Sequence, residues 1–322
     1  MPPLIEKRTV LVLGAGASAP YGLPVGKDLR DRIAGALAPG SLRFQQLKKF
    51  GFADEAIKAF VRDLPIAAGT TMDEFLELRP EFGDLGRAAI AQALIPCEGN
   101  EPVHRYEQKG PFWYKEFLGN MAMSRDSSAH RNLAIVTFNY DRSLEEFLFT
   151  TYKASHSQAP EEAAGWVKGL SIVHVYGWLA PLEWYDGACG IPYGAECTDH
   201  AIRQAMENIR IIDDEAPTSP ELAKAQERLE DAEVIAFLGF GYNDTNLQRL
   251  VVKKLEKNGK LIVGTSQGLE ADRIQELREW MTDTRHCDIW YFLKHEFNLW
   301  RGQLRGRHPR SHPPDRSPSP PS

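Results

Sequence analysis

Thr9-Val-Leu-Val-Leu-Gly-Ala-Gly-Ala-Ser18 is the stretch that decides how this chain is read. A β-branched and apolar run, Thr9 to Leu13, enters Gly14, Ala15, Gly16, Ala17 and Ser18. Near-continuous apolar runs of this kind form buried parallel strands. The small residues after it let the chain turn tightly into a helix. At such a turn, unpaired backbone N–H groups and the positive end of the helix dipole suit a phosphate. With Ala19 in last place the spacing matches G-x-G-x-x-G/A, which predicts a dinucleotide-binding strand–turn–helix unit. The same small residues also serve simple tight packing.

Beyond this turn the chain departs from the ordinary dehydrogenase pattern. No second strand arrives to end in an acidic residue for the ribose. Leu29, Ile33 and Leu37 instead share a helical face, with Asp28 and Asp31 among them. Phe44, Leu47, Phe52, Ile57, Phe60 and Val61 recur at helical intervals, so a helical insert is expected from about 41 to 131. Its aromatic group, Phe112, Trp113, Tyr114 and Phe117, reads as core. Asp73 reads as a cap or ion-pair partner at a helix start.

Strand-like runs resume at Leu133–Asp141 and Leu170–Gly177. Others begin at Glu233, Lys260 and Asp288, the last being Asp288-Ile-Trp-Tyr-Phe-Leu293. Strands separated by helical segments predict an α/β fold, a Rossmann-like parallel sheet with helices on both faces and the helical insertion. Asn139 and Asp141 then fall at a carboxyl strand end, where ligands sit in open parallel sheets. They are equally suited to capping the next helix, since Asp and Asn are favoured caps. His174 and Tyr176, two apart, are expected on one face of their strand. Asn243 is a ligand candidate or a helix cap.

Several short motifs together resemble the sirtuins. Gly14-Ala-Gly-Ala-Ser18 with Gly22-Leu-Pro24 is similar to the sirtuin cofactor motif. Thr137-Phe-Asn-Tyr-Asp141 resembles the sirtuin Gln-Asn-x-Asp motif, and the His174–Gly177 strand resembles the one carrying the sirtuin His-Gly pair. Leu238-Gly-Phe-Gly-Tyr-Asn-Asp244 and Met72-Asp-Glu-Phe-Leu76 are similar to segments of sirtuin-like NAD hydrolases of bacterial defence systems. The resemblance spans roughly residues 9–295. It implies a domain over 1–300 that takes NAD as substrate and cleaves it to nicotinamide and ADP-ribose, in the manner of an antiviral effector. It further implies a neighbouring sensor or motor protein as partner and a homo-oligomer on activation.

The chain departs from the deacylase sirtuins in three places. Cys97, Cys189, Cys197 and Cys287 contain no Cys-x-x-Cys pair, so no zinc is expected; Cys189, Cys197 and His200 leave a metal site open. Val25-Gly-Lys27 comes after Pro24 where the family has a Phe that shields the ribose carbon, which favours water as acceptor. Tyr176 stands where the family has its catalytic His. An imidazole titrating near 6.5 suits general-base work and a phenol near 10 does not. His174 is therefore the expected base, with Tyr176 orienting, or else His174 is a hydrogen-bonded core residue. Asn139 would place a water or ribose hydroxyl, and Asp141 would hold the nicotinamide carboxamide. Gly14, Ala15, Gly16 and Ser18 would cradle the pyrophosphate of NAD, with Ala17, Gly22 and Pro24 also counted as cofactor-binding. Gly239, Gly241, Asn243, Thr265 and Ser266 would line the adenosine side. The same pocket without turnover gives the alternative of an NAD or ADP-ribose-derivative sensor, and a deacylase is the third reading.

Composition narrows the class further. Hydrophobic residues make up 43% of the 322, enough for a globular core, with no apolar run long enough to span a membrane. The N-terminus reads as lacking a signal peptide and the cysteines as reduced, which predicts a cytoplasmic protein. Net charge is −6; the stretch from Arg305 holds four Arg and one Asp, a net +3, which leaves −9 on the body. An acidic body argues against a nucleic-acid surface. The Pro/Ser/Arg-rich tail, 301–322, is expected to be disordered. An irregular stretch, 180–199, is expected to act as a lid.

Overall fold

Strand order and direction follow from burial. The computed structural model describes residues 5–67, 71–99, 103, 112–121, 130–211, 219–255 and 259–306. β1 (Thr9–Leu13), β2 (Leu133–Thr137) and β4 (Val234–Leu238) are buried along their whole length. Strands hidden on both faces require covering layers on each side, and this is the parallel α/β solution. With β3 (Ser171–His174), β5 (Leu261–Thr265) and β6 (Asp283–Arg285) they form a six-stranded sheet in the order β3-β2-β1-β4-β5-β6. Every pairing in it is parallel. β1 is central, with Thr9 opposite Leu133 on one side and Val234 on the other. The chain builds outward from β1 to β3, then returns to start β4 on the far side of β1. That reversal opens a crevice at the carboxyl ends of β1 and β4.

Between β1 and β2 lies the helical insertion, with helices Leu42–Lys49, Asp54–Asp63, Met72–Leu78, Gly83–Leu94 and Trp113–Asn120 among the described residues. Trp113, Tyr114 and Phe117 are buried, as expected, and they brace the first turn. The Trp113 indole donates to the Ala17 carbonyl at 2.8 Å, and Tyr114 stacks on Tyr21 with ring centroids 3.8 Å apart.

One predicted strand is a helix. Asp288–Leu293 folds as Ile289–Tyr291 and then a wider turn through Glu296. The Asp288 carboxylate accepts from the Tyr291 amide at 2.7 Å, a helix cap, and Ile289, Phe292 and Leu293 are all buried. A short apolar run has no periodicity that separates helix from strand. The sixth strand is instead Asp283-Thr-Arg285, a polar edge strand with no apolar signal. Residues 301–306, expected within a disordered tail, are ordered: Gln303–Leu304 pairs antiparallel with Phe297–Asn298. The remainder of the tail, from 307, lies outside the described residues.

Candidate active site

At the β1/β4 crevice lies a cavity of about 520 Å³, bounded by the turns after β1, β2 and β4 and by the starts of helices Gly26–Ala36 and Met72–Leu78. Gly14, Ala15, Gly16, Ser18, Pro24, Asn139, Asp141, Tyr176, Gly239, Gly241 and Asn243 all line it. Ala17, Gly22, Thr265, Ser266 and His174 are not among its walls.

The glycine turn packs tightly against the end of β4 as well as lining the cavity. Gly14 N donates to Leu238 O at 3.2 Å and Gly16 N to Gly239 O at 2.9 Å. Ala17 N and Ser18 N close local turns on Gly14 O and Ala15 O. Most of the turn's amides are thus spent on carbonyls, and tight packing is what the glycines permit. A Cβ at Gly14 or Gly16 would lie 2.7 or 2.8 Å from Gly239 O, and one at Gly239 2.3 Å from Ala17 N. Gly239 also holds φ +57, which favours glycine. Thr265 supports this junction from behind, its hydroxyl accepting from Gly239 N at 3.0 Å. The cavity wall is continued past buried Ser266 by Gln267, Gly268 and Leu269.

Open N–H groups lie further along. Helix Gly26–Ala36 starts after Val25 with no side-chain cap, and Val25, Gly26 and Lys27 line the cavity. First-turn amides, the positive end of the helix dipole and the Lys27 side chain are the groups of this wall with the chemistry to accept an anion.

Asn139 is held from two sides. Its Nδ2 donates to Gly14 O at 3.0 Å and to Ser18 Oγ at 2.9 Å, which ties the end of β2 to the first turn. Its Oδ1 takes no hydrogen bond from a described residue. Asn139 therefore caps nothing and presents an acceptor. Asp141 does cap, taking the Ser143 amide at 3.1 Å, and it also bonds the Ser18 hydroxyl. Burial is the main influence on its carboxyl and pushes its pKa up, against these bonds. Asn243 caps its helix through Asn246 N at 3.2 Å and donates to Glu74 at 2.5 Å, while still facing the cavity.

His174 is the principal correction. β3 ends at His174, and residues 175 and 176 form a turn closed by Gly177 N on His174 O at 3.2 Å. Side-chain alternation holds only within a strand, so His174 and Tyr176 do not share a face. His174 turns into a neighbouring cavity of about 330 Å³, walled by Glu145, Trp178, Tyr185, Lys168 and Lys224 among others. Its Nδ1 lies 2.9 Å from the Asn139 carbonyl oxygen and its Nε2 2.6 Å from Glu145. A carbonyl only accepts, so Nδ1 carries hydrogen, and a further proton is shared between Nε2 and Glu145. Burial alone would lower this imidazole's pKa; the Glu145 charge and both hydrogen bonds outweigh it and raise it. Tyr176 does reach the main cavity, but its hydroxyl is spent, donating to Asn246 Oδ1 at 2.5 Å and accepting from Arg249 at 2.6 Å.

Stretch 180–199 contributes no wall to the main cavity. Arg142 anchors it instead, donating to the carbonyls of Ala180, Pro181, Ile191 and Pro192 while paired with buried Glu98. Among the described residues, no three His, Cys, Asp or Glu side chains are grouped to hold a metal ion. Nor is any described helix long and apolar enough to cross a membrane.

No protein-family model matches the chain, and no curated protein matches it. Among solved structures, a mutant Sir2 homologue in complex with 2′-O-acetyl ADP ribose is similar: 16% identity, 90% of each chain covered, TM-score 0.41. A Sir2 mutant with a p53 peptide and NAD is similar at 15% identity, covering 90% of this chain and 92% of that one, TM-score 0.38. A third structure, of Sir2 enzymes, has 12% identity, 90% coverage of each chain and TM-score 0.36.

Asp73 is the cavity residue that sequence reasoning missed. Thr71, not Asp73, caps its helix, in a reciprocal box with Glu74. Met72, Phe75 and Leu76 bury the opposite side, which turns Asp73 and Glu77, one helical turn apart, toward the polar wall. Asp73 lines the cavity and accepts from the Tyr140 hydroxyl. Glu77 pairs with Arg249 at 2.6 Å. The signal in sequence was the capping box itself: Thr71 three before Glu74 frees Asp73 from capping.

Proposed function

We propose that the main cavity binds NAD and cleaves its nicotinamide–ribose bond, yielding nicotinamide and ADP-ribose. The observation that carries this reading is the Gly14–Asn139–Ser18–Asp141 network. It brings the sequence motifs that resemble the sirtuin cofactor and Gln-Asn-x-Asp motifs into one cavity, at the crevice where parallel sheets take dinucleotides. In this reading the pyrophosphate lies against the start of helix Gly26–Ala36 and Lys27. Asn139 Oδ1 accepts from a ribose hydroxyl or the attacking water, and its orientation is fixed by the two bonds to Nδ2. Asp141 stands near the positive charge that develops on the ribose as the bond opens. Water attacks the anomeric carbon, and the glycosidic electrons leave with nicotinamide, whose ring nitrogen becomes neutral. His174 acts by holding the Asn139 backbone, outside the chemistry. The role that fits the sequence resemblance is an antiviral effector whose turnover is low until it assembles or meets a partner sensor.

One observation favours a second reading. Tyr176 fills the family His position with a hydroxyl already bound on both sides, as a cavity that senses NAD or an ADP-ribose derivative would tolerate. Chromatography of NAD, nicotinamide and ADP-ribose over a protein-concentration series separates the two, with NAD binding measured by thermal shift. Equal release of nicotinamide and ADP-ribose is the expected result. Binding with no product supports the sensor, and neither binding nor product overturns both. Acetyl transfer to the ribose from an acetylated peptide would replace hydrolysis with deacylation.

A further inference from the structure

We propose that Asp73 is the group that takes the proton from the attacking water or ribose hydroxyl, in the place an imidazole would fill; this rests on the NAD-cleaving reading above. The other carboxyl, phenol and imidazole candidates for this step each hold hydrogen bonds within the protein, and Lys27, which also lines the cavity, is the cation of the helix start. Asp141 has its oxygens engaged by the Ser143 amide and the Ser18 hydroxyl. The Tyr176 hydroxyl is bound to Asn246 and Arg249, and burial pushes its pKa well above the ordinary phenol. His174 faces the other cavity with both ring nitrogens bound. Asp73 remains: it borders the cavity, and the Tyr140 hydroxyl on Oδ1 fixes its orientation. Tyr140 is the neighbour of Asn139 in sequence, so one segment supplies both the acceptor for the ribose side and the support for the carboxylate.

The charged surroundings tune the group. Burial raises the Asp73 carboxyl to about 6. Glu77, one turn along the same helix, adds to that rise, while the Tyr140 bond and Arg249 oppose it. Glu74 is occupied by Asn243 and by the Thr71 amide. A carboxylate of that basicity is mostly ionised at neutral pH and still strong enough to accept a proton, the balance general-base catalysis needs. In the step itself the water oxygen bonds to the anomeric carbon. The carbon–nitrogen pair departs with nicotinamide, and the water proton passes to Asp73 and then to solvent.

The same shift has a consequence for stability. The folded pKa lies above the unfolded value, so the charged form costs the fold stability as pH rises through that interval, and the full cost is present above about 6. Asp73→Asn should therefore melt at least as high as the wild type near pH 8 while losing activity, a combination a structural residue would not show.

The test is nicotinamide release by the full chain between about pH 5 and 8, with Asp73→Asn, Asp73→Glu and Tyr140→Phe. Expected for the wild type is a rate that climbs with pH to a knee near 6 and is flat above it. Asp73→Asn should lose about 100-fold or more in kcat with KM changed less than about threefold, and should lose the knee. Asp73→Glu should recover part of the rate. Tyr140→Phe should move the knee to higher pH, because the hydroxyl bond holds the carboxyl down. Cleavage by Asp73→Asn at the wild-type rate, or with the knee intact, overturns Asp73 alone. A lower melting temperature with loss of NAD binding assigns the residue to the fold and overturns it too. A wild type that binds NAD but leaves it intact overturns the cleavage reading and this proposal together.

Discussion

The cavity at the β1/β4 crevice and the one around His174 both reach the end of β3, and their candidate acid–base groups are held differently. In the first, Asn139 has an oxygen to offer and Asp73 shows its carboxyl to the cavity. In the second, His174 and Glu145 close on each other and on the Asn139 carbonyl. The first leaves an amide oxygen and a carboxyl facing the cavity, whereas in the second the imidazole is already paired with a carboxylate. A residue type suited to acid–base work thus carries no role until its bonds are counted. The link between the regions is mechanical: His174 sets where the Asn139 backbone lies.

Four substitutions probe that contrast. The largest effect belongs to the scaffold. Glu98→Gln leaves Arg142 charged and nearly unexposed, its side chain 1% accessible, and should cost about 3–5 kcal/mol in chemical denaturation. The loss should loosen the 180–192 stretch that Arg142 ties down. Next, Asn139→Ala should lower nicotinamide release about 10²–10³-fold while NAD still binds, since an acceptor is removed from the reacting side only. His174→Gln should lower kcat only about tenfold, with KM and the pH knee unmoved, because it positions and does not titrate in the reaction. A loss as large as that of Asn139→Ala, together with a lost knee, would put the imidazole back into the chemistry and erase the distinction between the cavities. Smallest of all, Trp178→Ala in the second cavity should leave NAD turnover within about twofold, measured at saturating NAD.

Much of the site was legible because it depended on local chemistry. Thr9–Leu13 read as a buried strand and is one. Asn139 and Asp141 read as residues at a carboxyl strand end and lie there. The failures have physical causes. Asp288–Leu293 carried apolar residues at a length too short to reveal its period, and a cap on Asp288 decided for helix. The polar β6 gave no signal because an edge strand has little to bury. Alternation placed His174 beside Tyr176, yet the strand stops at His174, and no pattern in the sequence marks that stop. The glycine turn was recognised for its small residues, but its Gly14 and Gly16 amides are taken by Leu238 and Gly239 at the end of β4, partners more than two hundred residues away.

Burial patterns and turn chemistry act within a few residues, so the order of amino acids alone was enough to dictate the parallel α/β frame, the helical insertion and the strand ends where polar residues gather. Which of those residues face one another was settled by packing. The folded chain sent His174 to its own cavity, spent the Gly14 and Gly16 amides on Leu238 and Gly239 and brought Asp73 across from the insertion to Tyr140. Those outcomes depend on hydrogen bonds between distant segments, and a donor's availability is known only when the partner that would consume it is in place.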